Sequence, residues 1–467
     1  MSEASVEPGS FRDRQGRVFY ENGRVYRALS ETAMDNWRVL AQTRFFQEYV
    51  KQGSIIPTRH LEAQTTGLAA KLADEWAGIL EHQAIPFISY PYEWSFGMLK
   101  DAALLQLELM QAALQEAMTM KDASSFNVQW QGTSPVFIDL PSFEPCSPGE
   151  PWAGYRQFCE LCLYPLQLQA YKGVSFQQFL RGNIDGIPVQ TMAHLMTGLD
   201  RLKPGVLTHV VLQAKMQNRF ANTDRRVRKD LQHAGFSTEL VKNNVKRLQR
   251  LVEGLHWRQV SSEWSEYSER HNYSQGAFAQ KTNFVERNVA SRQWGLVWDI
   301  GCNTGQFSLL AARHADYVLA MDADHLAVER LYQQLREKNN RTVLPLVMNL
   351  ADPSAALGWR AIERKTITER GLPDLVLSLA LIHHMVIGAN IPMREFIDWL
   401  GDLGGSLIIE FVTKRDPMVE ILLRNKEDIY DDYDLGFFEQ CLGNRFRIKD
   451  REVVEGETRV LFFAQPK

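Results

Sequence analysis

Leu296-Val-Trp-Asp-Ile-Gly-Cys-Asn-Thr-Gly305 decides how the rest of this chain is read. An apolar run closes on an acid, Asp299, and a loop bounded by Gly301 and Gly305 opens into a helical pattern from Gln306 to His314. A strand–loop–helix of this kind lets a nucleotide-like ligand approach bare backbone at the carboxyl end of a strand. The loop reads G-x-x-x-G and lacks the G-x-G-x-x-G of a dinucleotide site. The next apolar run, Tyr317-Val-Leu-Ala-Met321, ends in Asp322, an acid placed to take both hydroxyls of a ribose. One glycine loop is a weak signal, whereas a loop flanked by acids at two strand ends is a specific one. The alternative is that Gly301 and Gly305 only make a tight turn and Asp322 is an ordinary loop acid. The flanking periodicities favour the ligand reading.

With these residues the chain resembles the class I S-adenosylmethionine-dependent methyltransferases over its C-terminal part, residues 259–467. The resemblance implies a Rossmann-like α/β fold with a seven-stranded methyltransferase sheet, and S-adenosyl-L-methionine as cofactor. It implies that Asp299, Gly301, Cys302, Asn303, Thr304 and Gly305 border the methionine part of that cofactor, with Asp322 on the ribose. A helix follows from Asp324 to Glu337, with Asp324 as its N-cap. A third strand, Val343 to Val347, precedes Asn349, Asp352 and Pro353. In the family this loop meets the adenine, so Asn349 or Asp352 stands at its amino edge, unless Asp352-Pro353 is simply a turn.

A fourth strand, Asp374 to Ala380, runs into Leu381-Ile-His-His-Met385, and in the family's architecture this strand end faces the transferring methyl group. His383 and His384 are therefore the catalytic candidates. Methyl transfer from a sulfonium is an in-line displacement that needs alignment, plus removal of a proton when the acceptor is a hydroxyl. Histidine suits that removal near neutral pH. The plainer alternative has one histidine packing the strand end and the other lining the pocket. A fifth strand, Gly405 to Phe411, carries Glu410, with Lys414 and Asp416 beyond it. Glu410 with the two histidines does not match a helical E-x-x-H ligand spacing, so no metal site is expected. Phe446–Lys449 and Arg459–Ala464 read as a closing antiparallel pair. The aromatic stretch Trp264 to Tyr267, continuing through Tyr273 and Lys281, reads as a lid or as packing at a domain junction.

A chain of 467 residues exceeds one ordinary core. Its 45% hydrophobic and 23% charged residues suit a globular enzyme, and a net charge of −4 gives no global drive toward nucleic acid or anionic membrane. No apolar stretch approaches a membrane span, and the polar start, Met1 to Ser10, has no signal-peptide core. Five cysteines make no disulfide framework, so a reducing cytoplasm is the expected location. Cys159 and Cys162 form a C-x-x-C, but they sit in an apolar helical stripe without a second such pair, which favours core packing.

Residues 1–199 carry a second pattern. A long helical stretch, Asp101 to Met120, leads to Lys121-Asp122 and Asn127, then a hairpin from Val128 to Ile138, then Asp139. This resembles the catalytic and metal-binding loops of protein-kinase-like phosphotransferases. The resemblance implies that Asp122 orients a hydroxyl while Asn127 and Asp139 hold magnesium beside a nucleotide, Mg-ATP. The match departs at Met120-Lys121, where His-Arg or His-Gly is usual, and at Leu140-Pro141, which replaces Phe-Gly. Gly16 to Arg27 reads as a β-hairpin of a small lobe and Trp37 to Val50 as its helix. Arg27 stands near the place of the phosphate-binding lysine, where arginine is a poor substitute, with Glu48 as its expected partner. A degenerate kinase-like α+β scaffold is favoured over an active kinase.

Residues 200–258 read as a basic helical bridge carrying Lys215, Arg219, Arg225, Arg226, Arg228, Lys229, Lys242, Lys246, Arg247 and Arg250. Such a run is usually a solvated helix face, and with few aromatics among the charges it offers no stacking platform for single-stranded nucleic acid. The whole arrangement is similar to nodulation-associated methyltransferase-like proteins of bacteria. That similarity implies methyl transfer to an oxygen, less readily a nitrogen, of a small-molecule or saccharide acceptor. A bifunctional kinase–methyltransferase, and an RNA modifier or non-catalytic scaffold, are the competing readings.

Overall fold

The computed structural model describes residues 5–61, 75–147, 149–221, 238–258, 274–424, 427–454 and 456–467. The chain divides into two compact units, residues 1–258 with 356–364, and residues 259–355 with 365–467. Residues 200–258, expected as a separate bridge, fall within the first unit. So does the short segment 356–364, which in the sequence interrupts the second. Arg225, Arg226, Arg228, Lys229 and the stretch Trp264 to Tyr273 lie outside the described residues.

The second unit is built on strands β10 (Trp294–Ile300), β11 (Ala315–Asp322), β12 (Val343–Val347), β13 (Leu375–Ser378), β14 (Ser406–Val412), β15 (Phe446–Val453) and β16 (Arg459–Pro466), which form one seven-stranded sheet in the order β12-β11-β10-β13-β14-β16-β15. The first five strands in that order are parallel, β16 runs antiparallel to β14, and β15 antiparallel to β16. Every residue of β12, β13 and β14 is buried, as expected of parallel strands covered on both faces. Helices Gln306–Ala311 and His325–Glu337 make the crossovers between β10, β11 and β12. Asp324 caps the second, accepting from the backbone amides of Leu326 and Ala327. This sheet order reverses direction between β10 and β13, and ligands of open α/β sheets bind at such a switch point, outside the carboxyl ends of the strands.

The first unit opens with strands β1 (Ser5–Val6), β2 (Gly16–Glu21), β3 (Arg24–Leu29), β4 (Thr58–Leu61) and β5 (Gly78–His82), an antiparallel sheet in the order β1-β2-β3-β5-β4. The expected single helix from Trp37 to Val50 is two, Glu31–Gln42 and Arg44–Gln52. The break falls at Thr43, whose extended backbone caps the second helix while its hydroxyl donates to the Leu40 carbonyl at 2.6 Å. Helix Phe96–Gln115 starts and ends earlier than the expected 101–120, because Met118–Met120 leaves it as strand β6 to pair with β9 (Phe143–Pro145). Between them lies the hairpin of β7 (Val128–Gln131) and β8 (Ser134–Phe137), turned at Gly132 with φ 60°. Cys159 and Cys162 are free thiols buried in a helical stretch.

Glu410 and Arg459 are charged residues buried in the sheet of the second unit. Glu410 on β14 is fully buried and accepts from the Lys281 ammonium at 2.7 Å and from Arg459 of β16 at 3.3 Å. Arg459 also donates to Asp416 at 2.7 Å. Removing the shared carboxylate takes from the buried Lys281 ammonium its counter-ion and leaves Arg459 paired with Asp416. Glu410→Ala is therefore expected to destabilise the protein by about 3–5 kcal/mol. Denaturant unfolding followed at the second unit's tryptophans checks this value.

Candidate active site

The loop after β10 is set by backbone that only a few residues tolerate. Gly301, Asn303 and Gly305 all have positive φ, at 77°, 49° and 78°. A side chain at Gly301 would be strained by that φ and would crowd Leu381, whose Cδ1 lies 3.1 Å from the place of a Cβ. The amides of Gly301 and Cys302 both donate to the Met321 carbonyl, at 2.8 and 3.0 Å, so the loop is fastened to the end of β11. Asp322 completes the clasp. One of its carboxylate oxygens accepts from the Asn303 amide at 2.8 Å and the other from the Asp324 amide at 2.9 Å. Asp322 thus braces the loop, a task the sequence did not reveal.

Asp299, near the end of the neighbouring strand, pairs in register with Ala320 of β11 and Leu377 of β13. Its carboxylate is buried and accepts from the Ser308 hydroxyl at 2.5 Å. Burial pushes its pKa up to about 7. Asp322 adds to that rise, while Ser308 and Lys281 oppose it. Burial likewise raises Asp322, and it raises the Cys302 thiol well above its usual range. Thr304 is half-buried in the same loop, and the Asn303 side-chain oxygen is buried without a hydrogen-bond partner. A buried acceptor left open beside two carboxylates is chemically suited to a ligand that brings hydroxyl or ammonium donors.

Beyond β12, Asn349 turns the chain by accepting from the Ala351 amide at 3.0 Å, and its carbonyl accepts from the Asp352 amide at 3.0 Å. Asn349 and Asp352 are both exposed, and the hydrogen bonds described for Asn349 stay inside the turn. After β13 the two histidines differ. His383 is fully buried and neither ring nitrogen has a partner, while His384 is half-buried, the rings lying 4.1 Å apart between centroids. Burial drives the His383 pKa well below the usual histidine value, helped by His384, Arg459 and Lys281. Burial and Arg459 lower His384 to about 4. Both shifts favour the neutral form of the rings. Glu410 is engaged by Lys281 and Arg459, as described, and Lys414 pairs with Asp428 at 2.8 Å.

In the first unit Asn127 donates to the Asp122 carboxylate at 3.1 Å and to the Ser142 hydroxyl at 3.3 Å. Asp139 pairs with Arg27 and accepts from Ser142. Burial pushes Asp139 up, but Arg27 and Ser142 together hold it below the usual carboxylate range. The partner guessed for Arg27, Glu48, is exposed instead, and Lys121 donates to Gln15 at 2.8 Å. The sequence missed Lys281, Arg459 and Asp416 as a network with Glu410. The available signal was a charge at the start or middle of an otherwise apolar strand.

No protein-family model matches the chain. It is 30% identical over 459 residues to nodulation protein NoeA of Rhizobium meliloti (strain 1021), a match spanning 97% of this chain and 94% of that protein. Among solved structures it is similar to the N-methyltransferase NodS of Bradyrhizobium japonicum WM9, with 17% identity, 42% of this chain and 99% of that one covered, and a TM-score of 0.31. It is also similar to the magnesium protoporphyrin IX methyltransferase of Synechocystis PCC 6803, at 19% identity, 45% and 87% coverage, and a TM-score of 0.29.

The raised Asp299 has a measurable consequence. Its folded pKa of about 7 exceeds an unfolded value of about 3.9, so between these limits the folded state binds the extra proton. Its contribution to stability is present in acid and is lost as pH rises through about 7. Asp299→Asn, which cannot ionise, is expected to gain stability relative to wild type as pH goes from about 5 to about 8. Thermal unfolding of both proteins across that range checks the sign.

Proposed function

The chain belongs to the family of the nodulation protein NoeA, and from that premise we propose that it moves a methyl group from S-adenosylmethionine to an oxygen, in preference to a nitrogen, of a small-molecule or saccharide acceptor. The second unit carries out the transfer and the first recognises the acceptor. The observation that carries the reading is the clasp at the ends of β10 and β11, with Asp299 and Asp322 on adjacent parallel strands and a loop of three left-handed residues between them.

S-adenosylmethionine supplies, when bound, an electrophilic methyl group on a sulfonium. Asp299, buried beside the loop, favours a cationic ammonium there once it is ionised. The backbone from Gly301 through Cys302, Asn303 and Thr304 to Gly305 borders the methionine part, and the open Asn303 oxygen accepts a ligand donor. Asp322 takes ribose hydroxyls. Asn349 or Asp352 meets the adenine amino edge. His383 or His384, neutral, accepts the acceptor hydroxyl's hydrogen bond and takes its proton as the methyl group moves.

The second reading is a bifunctional enzyme with Mg-ATP in the first unit, supported by the Asp122–Asn127 bond and by Asp139 close to it. Asp139→Ala then abolishes nucleotide binding and leaves the methyl donor's affinity intact; normal nucleotide binding by that variant sinks the idea.

For the main reading, Asp322→Ala is expected to weaken S-adenosylhomocysteine binding by about tenfold or more, because it removes the ribose contact and loosens the loop. His383→Ala and His384→Ala should keep that affinity, with at least one losing most of the turnover. Equilibrium binding and turnover with a methyl-labelled donor test both statements, and unchanged affinity in Asp322→Ala counts against the ribose role.

A further inference from the structure

The first unit contains a cavity of about 430 Å³ beside Asp122 that the methyl-transfer reading does not use. Asp122, Phe126 and Asn127 line one part of it, and Arg12, Glu363 and Arg364 another. The last two belong to the segment 356–364, which is part of this unit although its neighbours in sequence build the other sheet. Arg12 forms a two-pronged pair with Glu363, both bonds at 2.7 Å, so its charge is matched. Arg156, which also lines the cavity, is matched by Glu160 at 3.1 Å.

Arg364 is different. Its guanidinium lies over the Phe126 ring, 4.0 Å from the centroid, and one amino group donates to the Glu363 carbonyl at 2.9 Å. The Nε–H is buried and has no partner, and no carboxylate of the described residues pairs with this guanidinium. Burial lowers its pKa against the pull of Tyr90, Tyr92 and Glu363. A mostly buried guanidinium held by a carbonyl and an aromatic face is costly unless an anion completes it, and its planar fork matches carboxylate or phosphate oxygens. In the same cavity one oxygen of Asp122 accepts from the Ser124 amide at 3.0 Å and the Asn127 amide at 3.1 Å, Gln157 also bonds the carboxylate, and acceptor capacity remains for a ligand hydroxyl.

We propose that this cavity binds a hydroxyl-bearing organic anion, a phosphate monoester or a carboxylate, with the anionic group on Arg364 and a hydroxyl on Asp122. The binding itself is independent of methyl transfer; that the ligand is the methyl acceptor rests on the function proposed above. Two arms separate the anions: calorimetric titration of the full chain with glucose 6-phosphate and with glucuronate, with neutral glucose as the control.

Saturable binding of at least one anion, at least about tenfold tighter than glucose and weakened about tenfold or more by Arg364→Gln, is expected. Asp122→Asn should weaken glucose 6-phosphate while leaving inorganic phosphate unchanged. S-adenosylhomocysteine affinity, measured on the same preparations, should not move in any variant, so failure of this site and failure of the methyltransferase reading are told apart. Binding of neither anion, glucose binding as tightly as either, or full affinity in Arg364→Gln overturns the proposal. Should the glutamine variant not fold, Arg364→Lys keeps the charge and loses the fork. A fall of about threefold or more then supports the site, and unchanged affinity overturns it.

Discussion

The hydrogen bond from the Asn303 amide to Asp322, 2.8 Å long, is the constraint on which the rest of the second unit's chemistry depends. It joins the loop after one strand to the end of the next, and it works only because Gly301, Asn303 and Gly305 accept left-handed backbone. The parallel pairing of β10 with β11 brings the two acids to the same edge of the sheet. Burial then raises both of them, and each carboxylate becomes a group that a bound cation or hydroxyl would stabilise.

Deeper in the same unit, Lys281, Glu410, Arg459 and Asp416 form a buried network of two cations and two anions. Networks of this kind contribute little net stability but make removal of any one member expensive. Its cations also act on the histidines, because Lys281 and Arg459 disfavour a third positive charge at His383. Under the proposed transfer the histidines take a proton only transiently, and alignment of donor and acceptor supplies most of the rate.

Local pattern made much of the second unit legible. The strands Val343–Val347 and Arg459–Pro466 could be read because parallel or buried strands are continuous apolar runs, and Asp324 because an acid before an amphipathic helix is a cap signal. What could not be read depends on distance along the chain or on burial. Lys281 and Glu410 are 129 residues apart, and Arg27 and Asp139 are 112 apart. Neither pairing leaves a spacing to find. The excursion of 356–364 into the first unit is invisible because Glu363 and Arg364 look like ordinary surface charges. The break at Thr43 carries no glycine or proline, and the depressed histidine pKa values follow from burial that sequence does not report.

Calorimetric titration with S-adenosylhomocysteine at pH 7, in two buffers of different ionisation enthalpy, tests whether the clasp at β10 and β11 binds the methyl donor. Asp299, at about 7 in the free protein, is part-protonated there, and an ammonium group brought against it favours its ionised form. Saturable binding with net release of protons is expected, a release that Asp299→Asn abolishes. Absence of binding, or binding with proton uptake, would contradict this role for the clasp.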